Sequence, residues 1–320
     1  MKKVVILLLI NFLFSDYSGG YAGSGFRYSS NAREFALAGA LVADRTPGFF
    51  TFSNPALIQL LKHNYFGLSI QNLSLDRSIN SFNYTRKLPP NAGLGIGILK
   101  SSTNKIIGRN AENEIGETFS YHETMGIISF GVGFGSKFAL GINIKTQFSS
   151  SSIIENYKGN GVSSDIGIIY KHNRKLYIGA LINNISANYN WKVVINGDER
   201  SYVEKLPRNV LLGCAYYGIK KITLFFQEDI IITPNDNVNY RTRLGIEYKL
   251  KNKLLIRSGF KQAVGTLSEK SSDKLYFTPV FGLGIPINIW ERKYIQTDYS
   301  LDMGINGEGL SHLFSFSLKL

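Results

Sequence analysis

The sequence predicts an all-β protein: an antiparallel transmembrane β-barrel of about fourteen strands with a short N-terminal hatch segment. Three observations carry the prediction. Asn239 to Leu250 sorts with a period of two, placing Asn239, Arg241, Arg243, Gly245, Glu247 and Lys249 on one face and Tyr240, Thr242, Leu244, Ile246, Tyr248 and Leu250 on the other. A polar inner face against an apolar outer one is what a membrane-spanning barrel requires, and twelve tilted residues are enough to cross the hydrocarbon. The pattern recurs along the chain, and the connections between its copies alternate long and short. Soluble sandwich strands also alternate, so the spacing of the connections is the stronger signal.

The composition agrees. Charged residues make up only 18% of the 320, against 32 Gly, 18 Tyr and 21 Phe, which suits alternating strands, tight turns and interfacial aromatics. The formal net charge of +13 points to acidic surroundings such as lipid head groups or cell-wall polymers. No further feature supports a nucleic-acid partner. The one cysteine, Cys214, excludes an intrachain disulfide and a cysteine-rich zinc site.

In chain order, Lys2 and Lys3 precede the apolar run Val4 to Phe14, and polar and small residues follow. This is the layout of a secretory signal peptide, assigned to residues 1–22, and the run is too short for a membrane helix. Residues 23–62 do not alternate. They are rich in small side chains around Ala36 to Ala40 and reach a turn at Asn54, Pro55 and Ala56; Asn-Pro favours such a turn. This stretch reads either as a hatch inside a lumen or as a packed lead into the first strand.

Residues 63–320 hold the barrel. Strands are expected at 64–74, 78–88, 92–101, 125–134, 136–149, 161–172, 175–186, 207–217, 220–230, 238–250, 253–263, 275–286, 292–303 and 311–320. Segments 102–124, 150–160, 187–206 and 264–274 read as long loops, against short turns near 135, 173–174, 218–219 and 251–252. Outer-membrane barrels place long loops outside and short turns in the periplasm. Lys171, Arg174, Lys175, Lys220, Lys221, Lys249, Lys251, Lys253, Arg292 and Lys293 then form a basic periplasmic rim. Head-group anchoring by long cationic side chains is its plainer use. A docking surface for an acidic partner is the sharper one.

The inward face collects Lys145, Asp165, Lys171, Asp229, Arg241, Arg243, Glu247, Arg257, Lys261, Asp298 and Asp302. Buried charges need partners, so a lattice of ion pairs filling the lumen is the first reading and a polar conduit gated at Asn54-Pro55 the second. No catalytic constellation, metal-ligand spacing or cofactor motif is evident: the four histidines are scattered, and no nucleophile elbow surrounds any serine.

Ala32-Arg33-Glu34-Phe35-Ala36-Leu37-Ala38-Gly39-Ala40, followed by Ser53-Asn54-Pro55-Ala56-Leu57, resembles the N-terminal signature of PorV/PorQ proteins. More loosely it resembles the Asn-Pro-Ala segment of the related FadL-type channels. Asp165 to Tyr170, Asn183 to Ile185, Leu206 to Arg208, Leu244 to Tyr248, Arg257 to Phe260 and Asp298 to Leu301 continue the resemblance across nearly the whole mature chain. It implies a fourteen-stranded barrel with an N-terminal hatch, in the outer membrane of a Gram-negative-type bacterium. It also implies a non-enzymatic role without cofactor. The main expectation is an accessory in surface protein export of the type IX kind, with outer-membrane lipids, secretion components or exported cargo as partners. The alternative is a FadL-like passive transporter of hydrophobic small molecules.

Overall fold

A computed structural model describes residues 21–153, 157–195, 197–250, 253–265, 274–290, 293–303 and 309–320. The expected signal peptide lies outside them except for its last two residues. Fifteen strands occur among the described residues: β1 (Tyr65–Leu73), β2 (Arg77–Leu88), β3 (Ala92–Arg109), β4 (Ile115–Phe134), β5 (Phe138–Ser151), β6 (Tyr157–Lys171), β7 (Leu176–Ile195), β8 (Asp198–Lys205), β9 (Arg208–Ile219), β10 (Ile222–Ile232), β11 (Val238–Lys249), β12 (Leu255–Gly265), β13 (Lys274–Trp290), β14 (Lys293–Asp302) and β15 (Ser311–Lys319). All pairings among the described residues are antiparallel, and the β1–β15 and β6–β7 ladders close fourteen strands into a barrel. β8 stands apart, pairing with β7 alone.

The period-two pattern is realised as two surfaces. β5 alternates exposed and buried residues along nearly its whole length, with Leu140, Ile142 and Ile144 outward and Ala139, Asn143 and Lys145 buried inward. The same holds for Phe66, Leu68 and Ile70 on β1 and for Leu94, Ile96 and Ile98 on β3. Exposed aliphatic side chains in such numbers would be an aggregation hazard in water and are what lipid solvates.

Two of the expected long loops are strand. Residues 102–124 continue β3 and β4 to a tight tip at 110–114, and 187–206 continue β7 and form β8. β3, β4 and β7 reach 18, 20 and 20 residues, far beyond the roughly 10 that span hydrocarbon. Their surplus projects from the long-loop end. On β3 and β4 the residues there are mostly exposed or half-buried on both faces and the alternation that marks a wall strand fades, whereas β7 keeps it, burying Ala187, Tyr189, Trp191 and Val193.

The interior is filled by residues 22–61. A 3-10 turn (Ser24–Arg27), two short helices (Ala32–Ala36 and Phe50–Ser53) and a 3-10 segment (Pro55–Leu60) follow one another inside the barrel. Leu37, Leu41, Val42, Phe50, Leu57 and Ile58 pack there against Ala139, Ile169, Tyr177, Leu181, Ala215 and Phe225 of the wall. Each fully buried aliphatic side chain contributes about 1.5–3 kcal/mol. Among the described residues, the apolar clusters join this segment to the wall.

Two breaks in the described ladders border the interior. The β7–β9 ladder ends at Asn183↔Asn209 and the β7–β8 ladder begins at Asn188↔Lys205. Between them β7 bends through Asn184 and Ser186, at φ 61° and 53°, and its register with β6 shifts. The β11–β12 ladder ends at Arg243↔Lys261. Just beyond it, the Gln262 Oε1 accepts the Thr242 N–H at 3.2 Å and Thr242 donates to Glu228 at 2.7 Å. Thr242, expected on the lipid face, is accordingly buried.

Candidate functional site

The site is the interior, built where residues 22–61 meet the wall. Asn54 is fully buried. Its Oδ1 accepts the Ala56 N–H at 3.0 Å, capping the 3-10 segment that Pro55 opens. Its Nδ2 donates to the Val42 carbonyl at 2.9 Å and approaches those of Ile168 and Ala180 on β6 and β7. Glycines in the wall make room for this turn. A Cβ on Gly167 would lie 2.1 Å from Asn54 Oδ1, and one on Gly141 2.2 Å from the Ala56 nitrogen.

Among the described residues, the inward ion pairs fall on three parts of the wall. On β5–β7, Lys145 pairs with Asp165 at 2.6 Å and donates to Asn184 at 2.7 Å, while the Asp165 carboxylate also accepts from Asn143 and the Asn184 backbone. On β10–β11, Arg243 pairs with Asp229 at 2.5 Å and donates to the Ala38 carbonyl. Near the short-turn end, Glu247 pairs with Arg257 at 2.7 Å, Arg257 with Asp298 at 2.7 Å, and Arg33 with both Glu247 and Asp44. Lys261 lies over the Phe35 ring, Arg241 lines two interior cavities, and Asp302 accepts from the Tyr28 hydroxyl.

Sequence reasoning found most of the wall charges and missed their partners. Arg33, Asp44, Glu34 and Tyr28 come from the N-terminal segment, more than two hundred residues from Glu247 and Asp302, and nothing in their local pattern announces a contact across that distance. Of the basic rim, Lys171 is half-buried, and Arg174, Lys175, Lys220, Lys221, Lys249 and Lys253 are exposed at the short turns. Lys251, Arg292 and the Lys293 side chain lie outside the described residues.

Four cavities succeed one another from end to end. A cleft of about 350 Å³ opens at the long-loop end between the β7 bend and the β10–β11 turn. Asn184 and Leu206 line both this cleft and an interior cavity of about 120 Å³. That cavity shares Phe26, Glu34 and Asn209 with one of about 130 Å³, which shares Leu41 and Ser53 with one of about 120 Å³ near the short turns. Asn184 with Leu206, and Leu41 with Ser53, stand between neighbouring cavities. Asn184 is fixed by Lys145, Asp165 and the Pro207 carbonyl.

No protein-family model matches the chain, and no curated protein matches it. Solved structures do. The toluene transporter TodX of P. putida is 14% identical at TM-score 0.63, covering 92% of this chain and 98% of its own. A FadL homologue of Pseudomonas aeruginosa is 10% identical at TM-score 0.64, covering 92% and 99%. The monoaromatic hydrocarbon channel CymD is 11% identical at TM-score 0.61, covering 91% and 96%. At these identities the likeness speaks for architecture alone, and this chain has the FadL-like barrel fold.

Proposed function

We propose that this protein is a passive outer-membrane channel for small hydrophobic or amphipathic molecules, with the long loops outside and the short turns in the periplasm. The observation that carries the reading is the run of cavities: four spaces, each sharing lining residues with the next, from the long-loop end to the short turns. The structural likeness to a toluene transporter and a monoaromatic hydrocarbon channel supports it. The interior surface chemistry fits, because Phe26, Phe52, Leu41 and Leu99 alternate there with polar groups, a mixed lining that holds an apolar body and orients a polar tip. An export accessory, the first expectation from sequence, has no comparable support. Neighbours of that kind are absent from the matches described above, and an accessory needs no internal path.

In this mechanism, ligand collects in the long-loop cleft, passes Asn184 and Leu206, and moves along residues 22–61, the hatch, toward the short turns. The test is uptake of a radiolabelled monoaromatic by a Gram-negative host lacking its own hydrophobic channel. Expression is expected to raise uptake several-fold, and Leu206→Trp, which enlarges the side chain between the cleft and the first interior cavity, to abolish the gain while the barrel still inserts. Uptake no greater than with empty vector overturns the proposal.

A further inference from the structure

The hatch is gripped at its head as well as along its length. Ala22 is buried in an apolar cluster with Ala187, Tyr189, Trp191 and Leu206 at the long-loop end. Its N–H donates to Glu204 Oε1 at 2.8 Å, and the other oxygen of that carboxylate takes the Trp191 indole N–H at 2.9 Å. Arg27 Nη2 donates to the Tyr21 and Ala22 carbonyls at 2.5 and 2.9 Å. The Tyr21 hydroxyl accepts from Asn235 Nδ2, in the β10–β11 turn, at 3.3 Å. Hydrogen bonds to an ionised group are the strong ones, so residues 21 and 22 occupy a built seat.

This seat bears on where the expected export signal ends. Small residues at the third and first positions before the cut allow cleavage after Gly20, Ala22, Ser24 or Gly25. Every cut but the first discards Tyr21 and Ala22. Arg27 would then lose two carbonyl acceptors, Glu204 would lose a donor, and the place of Ala22 beside Trp191 would be vacated. A terminus at Gly23 has one compensation. Its ammonium would stand beside Glu123, a carboxylate 1% exposed that accepts the Gly23 and Gly25 N–H groups and has no ion-pair partner among the described residues. Gly23 is itself buried, however, and taking an ion out of water offsets much of such a pair's attraction. The cut after Gly20 keeps every contact and leaves the new ammonium on Tyr21, which is only half-buried.

We infer that the mature chain begins at Tyr21, two residues earlier than a signal of residues 1–22 would leave it, and that Glu204 and Arg27 anchor this head at the long-loop mouth. Ala22 and Gly23 line the interior cavity next to the cleft, so the anchored head is part of the entrance wall. Neither the terminus nor its anchor depends on what the barrel carries.

The first measurement is the intact mass of the full chain, expressed with its own export signal and purified from outer membranes. A single species spanning residues 21–320 is expected. A chain beginning at Gly23, or at any other residue, overturns the assignment. The second is aminopeptidase trimming of the folded barrel, read by the same mass measurement. The native head is expected to lose Tyr21 at most. In Glu204→Ala, accepted only if heat-modifiable gel mobility is kept, trimming is expected to pass Ala22 about tenfold faster, the scale of one lost hydrogen bond to a charged group. Arg27→Gln, which alters no wall residue, is expected to behave likewise. Trimming of both variants no faster than of the native chain overturns the anchor and leaves the terminus standing.

Discussion

Asn54 makes one side chain do two jobs: it caps the 3-10 segment and ties it to Val42 and to the carbonyls of β6 and β7. Asn54→Ala removes a cap worth about 1 kcal/mol and leaves buried polar groups unsatisfied at about 1–3 kcal/mol. Amides of Ala56 to Ile58 are expected to exchange with deuterium faster by one to two orders of magnitude, while wall amides stay as protected as before. Equal exchange in both proteins would show that the turn is held by packing alone. Gly141→Val approaches the same seat from the wall. Its side chain would meet the backbone of Pro55 and Ala56, which no rotamer change relieves, so the segment must shift. Protease cleavage within residues 22–61 of the folded barrel is the readout, and it is expected to rise. These residue-scale features were half legible. Asn-Pro marked the turn, but Gly141 and Gly167 look in sequence like ordinary strand glycines; only the approach of a second backbone explains them.

At the scale of elements, the wall strands were legible because lipid on one side and polar groups on the other impose a strict period of two. The extensions of β3 and β4, and all of β8, were not, because outside the membrane neither face is required to be apolar; the extension of β7 keeps its alternation beyond a bend at Asn184 and Ser186. Asp198–Lys205 is exposed at all positions except Val203's neighbour Glu204, which is half-buried and accepts from Trp191 and Ala22. Since β8 pairs with β7 alone, replacing residues 192–201 by a short turn is expected to leave barrel formation intact, as judged by heat-modifiable mobility. Loss of the folded band would mean that this hairpin is needed for closure. The hatch depends on a different bond set. Glu247 joins Arg33 of the hatch to Arg257 of the wall, and Glu247→Gln strips the shared charge from both. Breaking one member of a buried network costs about 3–5 kcal/mol, so the hatch is expected to release at lower denaturant than in the native chain, ahead of the wall. A single unchanged transition would refute this coupling.

For the whole molecule, charge is distributed by end. The described rim cations sit at the short turns, where anionic head groups would add about 1 kcal/mol each. Reversal of Arg174, Lys175, Lys220 and Lys221 to Glu is expected to slow insertion into vesicles containing anionic lipid and to leave insertion into zwitterionic vesicles unchanged. Equal slowing in both would trace the effect to folding. The charge total was readable from composition, and its placement from the turn pattern. The interior path was not, because a cavity is what remains between segments distant in sequence, and no local pattern encodes it.

The ladder that joins β1 to β15 also fixes an order of events. The wall cannot close until the final strand has been made and delivered, yet the segment that must lie inside it is made first. Residues 22–61 therefore wait beside an open sheet, and their burial and the sealing of the wall become one late step. A chain lacking β15 would keep its hatch accessible to protease however well its other strands had paired, so the C-terminal strand acts as the lock on a compartment whose contents are made before its wall.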